Sequence, residues 1–499
     1  MAVLIFQVTP RLPALMNTDY AAPSGSTIVV GDGGNFQTAL NNANPGDVIT
    51  LNAGSTYTGN FSLPAKGGSS YIHIRSSAAL TTEGSRITTG QAASFPKIAT
   101  PDNEAAIQAT AESSYYRFIN CDIKSGSTAV NGYLVGLGTG EETDPDDFPH
   151  HIIIDRCHIH GSSANGGRRG VMFAGNYQAV IDSYLSDWKE VGADTQAIAA
   201  WTGYGPYKIV NNYLEGAGEN VMFGGAGTGG IVLTPSDIEI RGNHFFKPLT
   251  WKADDPSYLG TQWSVKNLFE LKHAKRVLVD GNIFENCWAE SQNGFAIVFT
   301  VRNQTGSTPW ATVSDVTFTD NTIRNSTCGF NLLGYDEESG ISSDYARRLL
   351  IERNLGYGIL SNAFQMQHRY EDVNINHNTF LHGGETMIIA GQPCPRFRFT
   401  NNIVQHNTYG IKGDNQNSGN TTIAAYLPDS VITKNVFATP GEAGMADIYP
   451  ADNYFPTLLS DVGFVNLTEY ADLTLTEDSD YHLLGTDSLD LGADKATPA

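Results

Sequence analysis

Lys272, Arg302, Asp336 and Arg369 each stand three residues past an apolar position in a short β-like run, and the four runs follow one another along the chain. Phe223, Phe269, Phe299, Leu333, Met366 and Ile389 form the expected inward row. Side chains alternate across a strand, so the residues one and three further on point outward together. The first outward row is then Gly224, Glu270, Thr300, Gly334, Gln367 and Ala390, and the second is Ala226, Lys272, Arg302, Asp336, Arg369 and Gln392. Stacked at about 4.8 Å, the second row makes one contiguous charged line. Such a line suits β-elimination on a uronic acid. A cation neutralises the carboxylate, a base removes the C5 proton, and the leaving oxygen is protonated. Lys272 as the base needs a lowered pKa, which Arg302 favours and Glu270, on the same face, opposes. The same residues also suit an ion-pair ladder on a solvated sheet, at about 0–1 kcal/mol for each pair. Both readings stay open.

A second constellation is carboxylate-based. Asp194, Glu219 and Glu270 fall on successive runs, with Asp336 further along. Two carboxylates on one face suit glycoside hydrolysis, an inverting pair standing roughly 6.5–9.5 Å apart. Asp194 and Glu219, close to Gly192 and Gly218, also suit turns that bond backbone amides. Among the aromatics of the middle stretch, Trp201 and Trp288 are candidate platforms for sugar rings. Arg168 and Arg169 are a candidate basic subsite or an ordinary surface pair, and Gln367 joins the first outward row. No metal-ligand set stands out, and five cysteines include no CxxC pair. The tract Glu141-Glu142-Thr143-Asp144-Pro145-Asp146-Asp147 is acidic enough for Ca2+. It lacks the EF-hand pattern and reads better as a solvated loop. No cofactor is therefore expected, with Ca2+ the one ion the tract would admit.

Composition narrows the setting. The chain has 499 residues with 52 acidic and 30 basic side chains, a formal charge of −22, and only 16% charged residues. Its 40% apolar content, with 22 Tyr and 23 Phe, excludes a disordered chain. No apolar run approaches the ~20 residues of a bilayer span. The acidic balance disfavours nucleic acid, which needs a basic face. The expected partner is a polysaccharide, with neither nucleic acid nor membrane.

Those residues need elements to hold them, and an internal repeat supplies the elements. A small or polar residue recurs between β-formers at Cys121, Cys157, Ser183, Asn212, Asn243, Asn282, Asn321, Asn354, Asn378, Asn402 and Asn435. The spacing varies from 24 to 39 residues, so the strands are constant and the loops are not. Short strands bounded by Gly, Asn and Asp, with almost no helical period, predict an all-β solenoid whose units must stack to bury their apolar faces. The repeated Asn predicts a hydrogen-bonded ladder. The stretch Gly31 to Ala43 reads as a short amphipathic helix with Asn35 a candidate cap, covering a sheet edge. Pro45-Gly46-Asp47 then turns into Val48-Ile49-Thr50-Leu51. The expected division is an N-terminal extension 1–25, a parallel β-helix 26–465 and a closing segment 466–499.

The helix followed by Pro45-Gly46-Asp47-Val48-Ile49-Thr50-Leu51 and Tyr57-Thr58-Gly59-Asn60-Phe61, the Asn ladder and the terminal Tyr481-His482-Leu483 to Leu491-Gly492 segment resemble the pectin-lyase-like superfamily. The resemblance implies a single-stranded right-handed parallel β-helix with an N-terminal capping helix. Lys272-His273-Ala274-Lys275-Arg276-Val277, then Gly281-Asn282-Ile283-Phe284 and Arg302, is similar to chondroitinase-B and alginate-lyase type enzymes. That likeness implies a base at Lys272 and a catalytic Arg at Arg302. Two departures stand out. Asn303 follows the Arg where those enzymes commonly carry His, and Val265, Lys266 and Asn267 occupy the place of their calcium-binding acids.

The leading expectation is a polysaccharide lyase with its groove centred on residues 190 to 370. The alternatives are an inverting glycoside hydrolase using Glu219, Glu270 or Asp194, and a non-catalytic glycan-binding, adhesion or virion-surface protein. Met1-Ala2-Val3-Leu4-Ile5-Phe6 lacks a basic start and makes a poor signal peptide. The expected location is nevertheless extracellular or periplasmic, where such glycans are met.

Overall fold

The computed structural model describes residues 9–126, 132–442 and 444–494, so Met1 to Phe6 lie outside the described residues. The chain forms two compact units, Pro13–Phe269 and Met1–Leu12 with Glu270–Ala499. Each unit is built from three parallel sheets that the chain visits in turn. One coil of the first unit shows the plan. The leading strand Tyr207–Val210 reaches a corner, the trailing strand Tyr213–Glu215 leaves it, and the distal strand Glu219–Phe223 completes the turn. Each pairs in parallel with its counterpart on the preceding coil: Tyr207 with Gln178, Tyr213 with Tyr184, and Glu219 with Gln196. The second unit repeats the plan, with Val316 against Val277, Thr322 against Ile283 and Phe330 against Ile297. This is the parallel β-helix that the repeat predicts.

The corner explains the repeat. The residue before each marked position is left-handed, with φ of 54° at Asn120, 54° at Asp182, 56° at Asn211, 56° at Asp320 and 60° at Asn401. Asn, Asp and Gly tolerate that region, and they fill most of these corners. The marked side chain then turns inward. In the second unit the Asn282 amide N–H and its Nδ2 donate to Asn321 Oδ1 at 2.9 and 2.9 Å. The pattern continues through Asn354, Asn378, Asn402 and Asn435 to Asn453. Asn453 extends the ladder one step beyond the recurrence seen in the sequence. In the first unit the same column holds Cys157, Ser183, Asn212 and Asn243, with Asn212 N–H donating to Asn243 Oδ1 at 2.8 Å. Every Asn of the column from Asn212 to Asn435 is buried.

The ends are covered as their sequences suggest. Helix Phe36–Asn42 is capped by Asn35, whose Oδ1 accepts from Thr38 N at 2.9 Å, and it buries Phe36, Ala39 and Leu40. Phe36 packs its ring 4.7 Å from that of Phe61 on the first distal strand. Met16 and Thr18, before the first strand, lie against residues of the leading sheet. Met16 packs against Ile153, Ala179 and Ile181, and Arg117 Nη1 donates to Thr18 O at 2.8 Å. In the second unit Tyr481 and Leu491 pack on Ile403, Val436 and Ala438, and Gly492 N–H donates to Asn401 O at 2.7 Å. The C-terminal segment is thereby fixed to the corner side of the coils.

Candidate functional site

The first unit gathers charge on its distal sheet. Arg169, Gln196 and Glu219 are register partners on three successive coils. Arg169 Nε donates to Gln196 Oε1 at 2.8 Å, and Gln196 Nε2 donates to Glu219 Oε2 at 2.5 Å. Lys266 Nζ lies 3.6 Å from Glu219 Oε1 and also pairs with Asp194. Glu219 is fully buried while Asp194 is 41% exposed, so one ammonium joins a sunken carboxylate to an accessible one. Arg168 Nε donates to the Asp194 carbonyl at 3.4 Å. The Arg169 guanidinium sits 5.2 Å over the half-buried Trp201 ring. Burial, then repulsion from Arg168, lowers the Arg169 pKa against the pull of Asp194 and Glu219.

A buried lysine shapes the turn that presents Glu219. Lys247 Nζ donates to Ala217 O at 2.9 Å, to Gly218 O and Asn220 Oδ1 at 3.0 Å, and to Gly216 O. An internal ammonium thus holds three carbonyls of one turn together. Thr195 Oγ1 accepts from Gly218 N at 2.8 Å and ties that turn to the previous coil. Glu219 itself lies in a strand rather than a turn.

The second unit brings Lys272 and Arg302 together on consecutive coils, for Arg302 N–H donates to Lys272 O at 3.0 Å. Lys272 Nζ stands 3.6 Å from Glu270 Oε1, and Arg302 Nη1 stands 3.4 Å from Asp336 Oδ1. Asp336 is itself fixed: its Oδ2 accepts from Asn303 N at 2.9 Å, and its amide donates to Ser343 Oγ at 3.0 Å. Glu270, Thr300, Arg302 and Asn331 line a cleft of about 310 Å³, bordered by Ser291, Gln292 and Asn293. Gln365 Nε2 donates to Asn331 Oδ1 at 3.2 Å on the next coil. The Arg302 side chain is 42% exposed at this cleft, which leaves a guanidinium edge for a ligand carboxylate.

Four expectations are corrected. Phe299 pairs with Leu332, and Thr300 pairs with Leu333, which pairs in turn with Gln367. The inward row therefore runs Phe299, Leu332, Met366, Ile389, with Leu332 in the place expected of Leu333. Leu333, not Gly334, is the neighbour of Gln367. Secondly, Arg369 does not join the charged line. Its backbone is left-handed at φ 57°, its Nε pairs with Glu371 Oε1 at 2.7 Å, and its guanidinium stacks 4.6 Å over Tyr345. Thirdly, the line itself resolves into separate pairs, Lys272 with Glu270 and Arg302 with Asp336. Fourthly, Trp288 is 8% exposed and packs into the molecule instead of offering an open platform. In the acidic tract, Glu142 accepts from the Thr139 and Gly140 amides at 2.7 and 2.8 Å, and Asp144 caps the short helix at 145–147 through Asp146 N.

Gln196, Lys247 and Lys266 escaped sequence reasoning as site residues. Gln196 opens a distal strand one register step before Glu219, and that spacing was its only trace. Lys266 precedes the run used for the inward row and fell outside the rows built from it.

No protein-family model matches the sequence, and no curated protein does. Solved structures do share its architecture. A mannuronic acid specific polysaccharide family 6 lyase from human gut microbiota is 12% identical, over 86% of this chain and 91% of that one, with a TM-score of 0.48. The family 6 alginate lyase AlyGC is 11% identical, over 95% of this chain and 59% of that one, with a TM-score of 0.49. The catalytic unit of a GH87 α-1,3-glucanase from Streptomyces thermodiastaticus is 11% identical, over 89% and 72%, with a TM-score of 0.48. What the chain has in common with these polysaccharide lyases and this glycoside hydrolase is a distant structural similarity, the parallel β-helix itself.

Proposed function

We propose that the protein cleaves a uronic-acid-containing polysaccharide by β-elimination at the cleft of the second unit. The observation that carries the reading is the placement of Lys272 and Arg302 on consecutive coils, joined by the Arg302 N–H to Lys272 O bond. Arg302 pairs with the substrate carboxylate and stabilises the charge that builds on it as C5 loses its proton. Lys272 takes that proton. Glu270 Oε1 stands 3.6 Å from Lys272 Nζ, close enough to orient it. Electrons of the C5–H bond form the C4=C5 double bond, the C4–O bond breaks, and the departing oxygen takes a proton from solvent water. Asn331 and Thr300 offer hydrogen bonds to sugar hydroxyls from the same cleft. No cofactor enters this scheme, and the expected setting is extracellular or periplasmic.

A second reading draws on the first unit. Asp194 and Glu219 share the Lys266 ammonium, an arrangement that supports carboxylate chemistry of the hydrolytic kind, with Trp201 and Arg169 beside it. A panel of uronic and neutral polysaccharides separates the readings. Elimination yields a product with ultraviolet absorbance from its new double bond, and Lys272→Ala and Arg302→Ala should each abolish it. New reducing ends without that absorbance, lost in Glu219→Gln, assign hydrolysis instead. Saccharide binding without cleavage of any substrate on the panel would make the protein a glycan-binding rod.

A further inference from the structure

We propose that Asp122, His158 and His160 form a binding site for a divalent transition metal, Zn2+ by preference, on the trailing sheet of the first unit. The three side chains come from two neighbouring strands, Asp122–Lys124 and His158–His160, in which His158 is the register partner of Asp122. Alternation along the second strand puts His158 and His160 on one face, where their rings stack at 4.3 Å. Asp122 Oδ1 lies 3.4 Å from His158 Nδ1 and 3.1 Å from His160 Nε2. One ligand atom from each residue falls within 4.8 Å of the others. Ligands at about 2.0–2.1 Å around a tetrahedral zinc are separated by roughly 3.3 Å, so the observed spacing is that of donors sharing an ion.

The orientation of the rings carries the argument further. His160 Nδ1 lies 2.9 Å from the Gly161 carbonyl, an acceptor that fixes the proton on Nδ1. The lone pair of Nε2 then faces the carboxylate. The far nitrogen of His158 lies 3.5 Å from Ser186 Oγ. Metal-bound imidazoles commonly have their second nitrogen held by a carbonyl or hydroxyl in this way. Asp122 Oδ1 is buried and, among the described residues, has no aligned hydrogen-bond donor, and the Asp122 side chain is only 8% exposed. A buried carboxylate oxygen facing two imidazole nitrogens without a bonded proton is costly unless a cation joins them.

The site opens to solvent on the imidazole side. His158 and His160, with Lys124, Ser162, Ser186 and Asp187, line a cleft of about 430 Å³. Two histidines and a carboxylate leave a fourth position toward that cleft, as in zinc sites that keep an exchangeable water. Imidazole favours zinc, nickel and copper over calcium or magnesium, which separates this site from any calcium chemistry of the acidic tract. Cys121 and Cys157 lie next to Asp122 and His158 in sequence and are buried, so thiol binding is the rival to exclude.

The test is metal titration of the full chain after chelator treatment. Co2+ is followed by its visible absorption and Zn2+ by competition. The expected result is one equivalent bound by the wild type and by Cys157→Ser, and lost in Asp122→Asn and His160→Gln. Circular dichroism of the two variants shows whether they remain folded. If both unfold, His158→Gln and His160→Ala are titrated in their place, with the same loss expected. Wild-type protein that takes up no Co2+ or Zn2+ overturns the proposal. So does an equivalent that survives in the folded Asp122 and His160 variants or disappears with Cys157→Ser.

Discussion

Asn354→Ala tests whether the inner ladder holds the second unit together. The Asn354 side chain makes four hydrogen bonds. Its Oδ1 accepts from Asn321 N and Nδ2 at 2.9 and 3.1 Å, and its Nδ2 donates to Phe318 O and Asn378 Oδ1 at 3.0 and 2.9 Å. Truncation leaves the buried Asn321 amide N–H without that acceptor, at about 1–3 kcal/mol. The other three bonds contribute about 1 kcal/mol each. The sum is roughly 4 kcal/mol or more, read as a shift of the guanidinium unfolding midpoint against wild type. Asn354→Asp sharpens the test. It keeps the acceptor for Asn321 and sets a carboxylate oxygen against Phe318 O and Asn378 Oδ1. Burial against two acceptors raises the folded pKa of that Asp above its unfolded value of about 3.9. The native state then binds more protons than the unfolded chain, so this variant loses stability as pH rises and recovers it in acid. A change below about 1 kcal/mol for Asn354→Ala would refute the reasoning, because the bonds would then be no stronger than those water offers.

Three further outcomes are expected. Burial raises the Glu215 carboxyl to about 7, against the Asp187 amide that lowers it. Its raised value means that stability falls between about pH 4.5 and 7 by roughly 3 kcal/mol. Thermal melts across that range should show the slope in wild type and a flatter one in Glu215→Gln. Lys247→Met removes the donor shared by the carbonyls of Gly216, Ala217 and Gly218, of which the last two keep backbone N–H bonds from Lys266 and Asn267, and denaturant titration should show a loss of about 1–3 kcal/mol. Arg302→Lys should retain part of the elimination rate and Arg302→Ala none, because a guanidinium pairs two carboxylate oxygens and an ammonium only one. Equal rates for the two variants in the ultraviolet assay would contradict the assigned role.

The scaffold was legible because its physics is periodic. A left-handed corner admits few residue types and an inward amide suits one position, so Asn212 to Asn435 mark the coils despite loops of changing length. The Asn35 cap and the buried face of its helix follow from local rules in the same way. The site was less legible because its rows depend on register, and one residue of slip moves a side chain to the other face. Such a slip at Leu333, which pairs with Thr300 and Gln367, carried Gly334 into a row where Leu333 belongs. Arg369 left its row for a second reason, since a left-handed backbone redirects a side chain that simple alternation would place beside Asp336. The backbones of Lys272 and Arg302 meet across consecutive coils, but the Arg302 N–H to Lys272 O bond sets Arg302 opposite His273, one residue from the expected pairing. Lys266, which meets two carboxylates, lies just before the strand Asn267–Leu271, where alternation gives no row, and Asp122 with His158 and His160 lay on a sheet where no row had been drawn.

The corner asparagines also bear on how such a molecule can change in length. Each offers its successor the same pair of donors and takes the same pair from its predecessor, whether the next stands 24 positions on, as from Asn354 to Asn378, or 39, as from Asn282 to Asn321. A turn of chain is therefore a module with identical plugs at top and bottom. Recombination can duplicate or delete one without inventing a new interface, while the excursions between plugs diverge freely to acquire new surfaces.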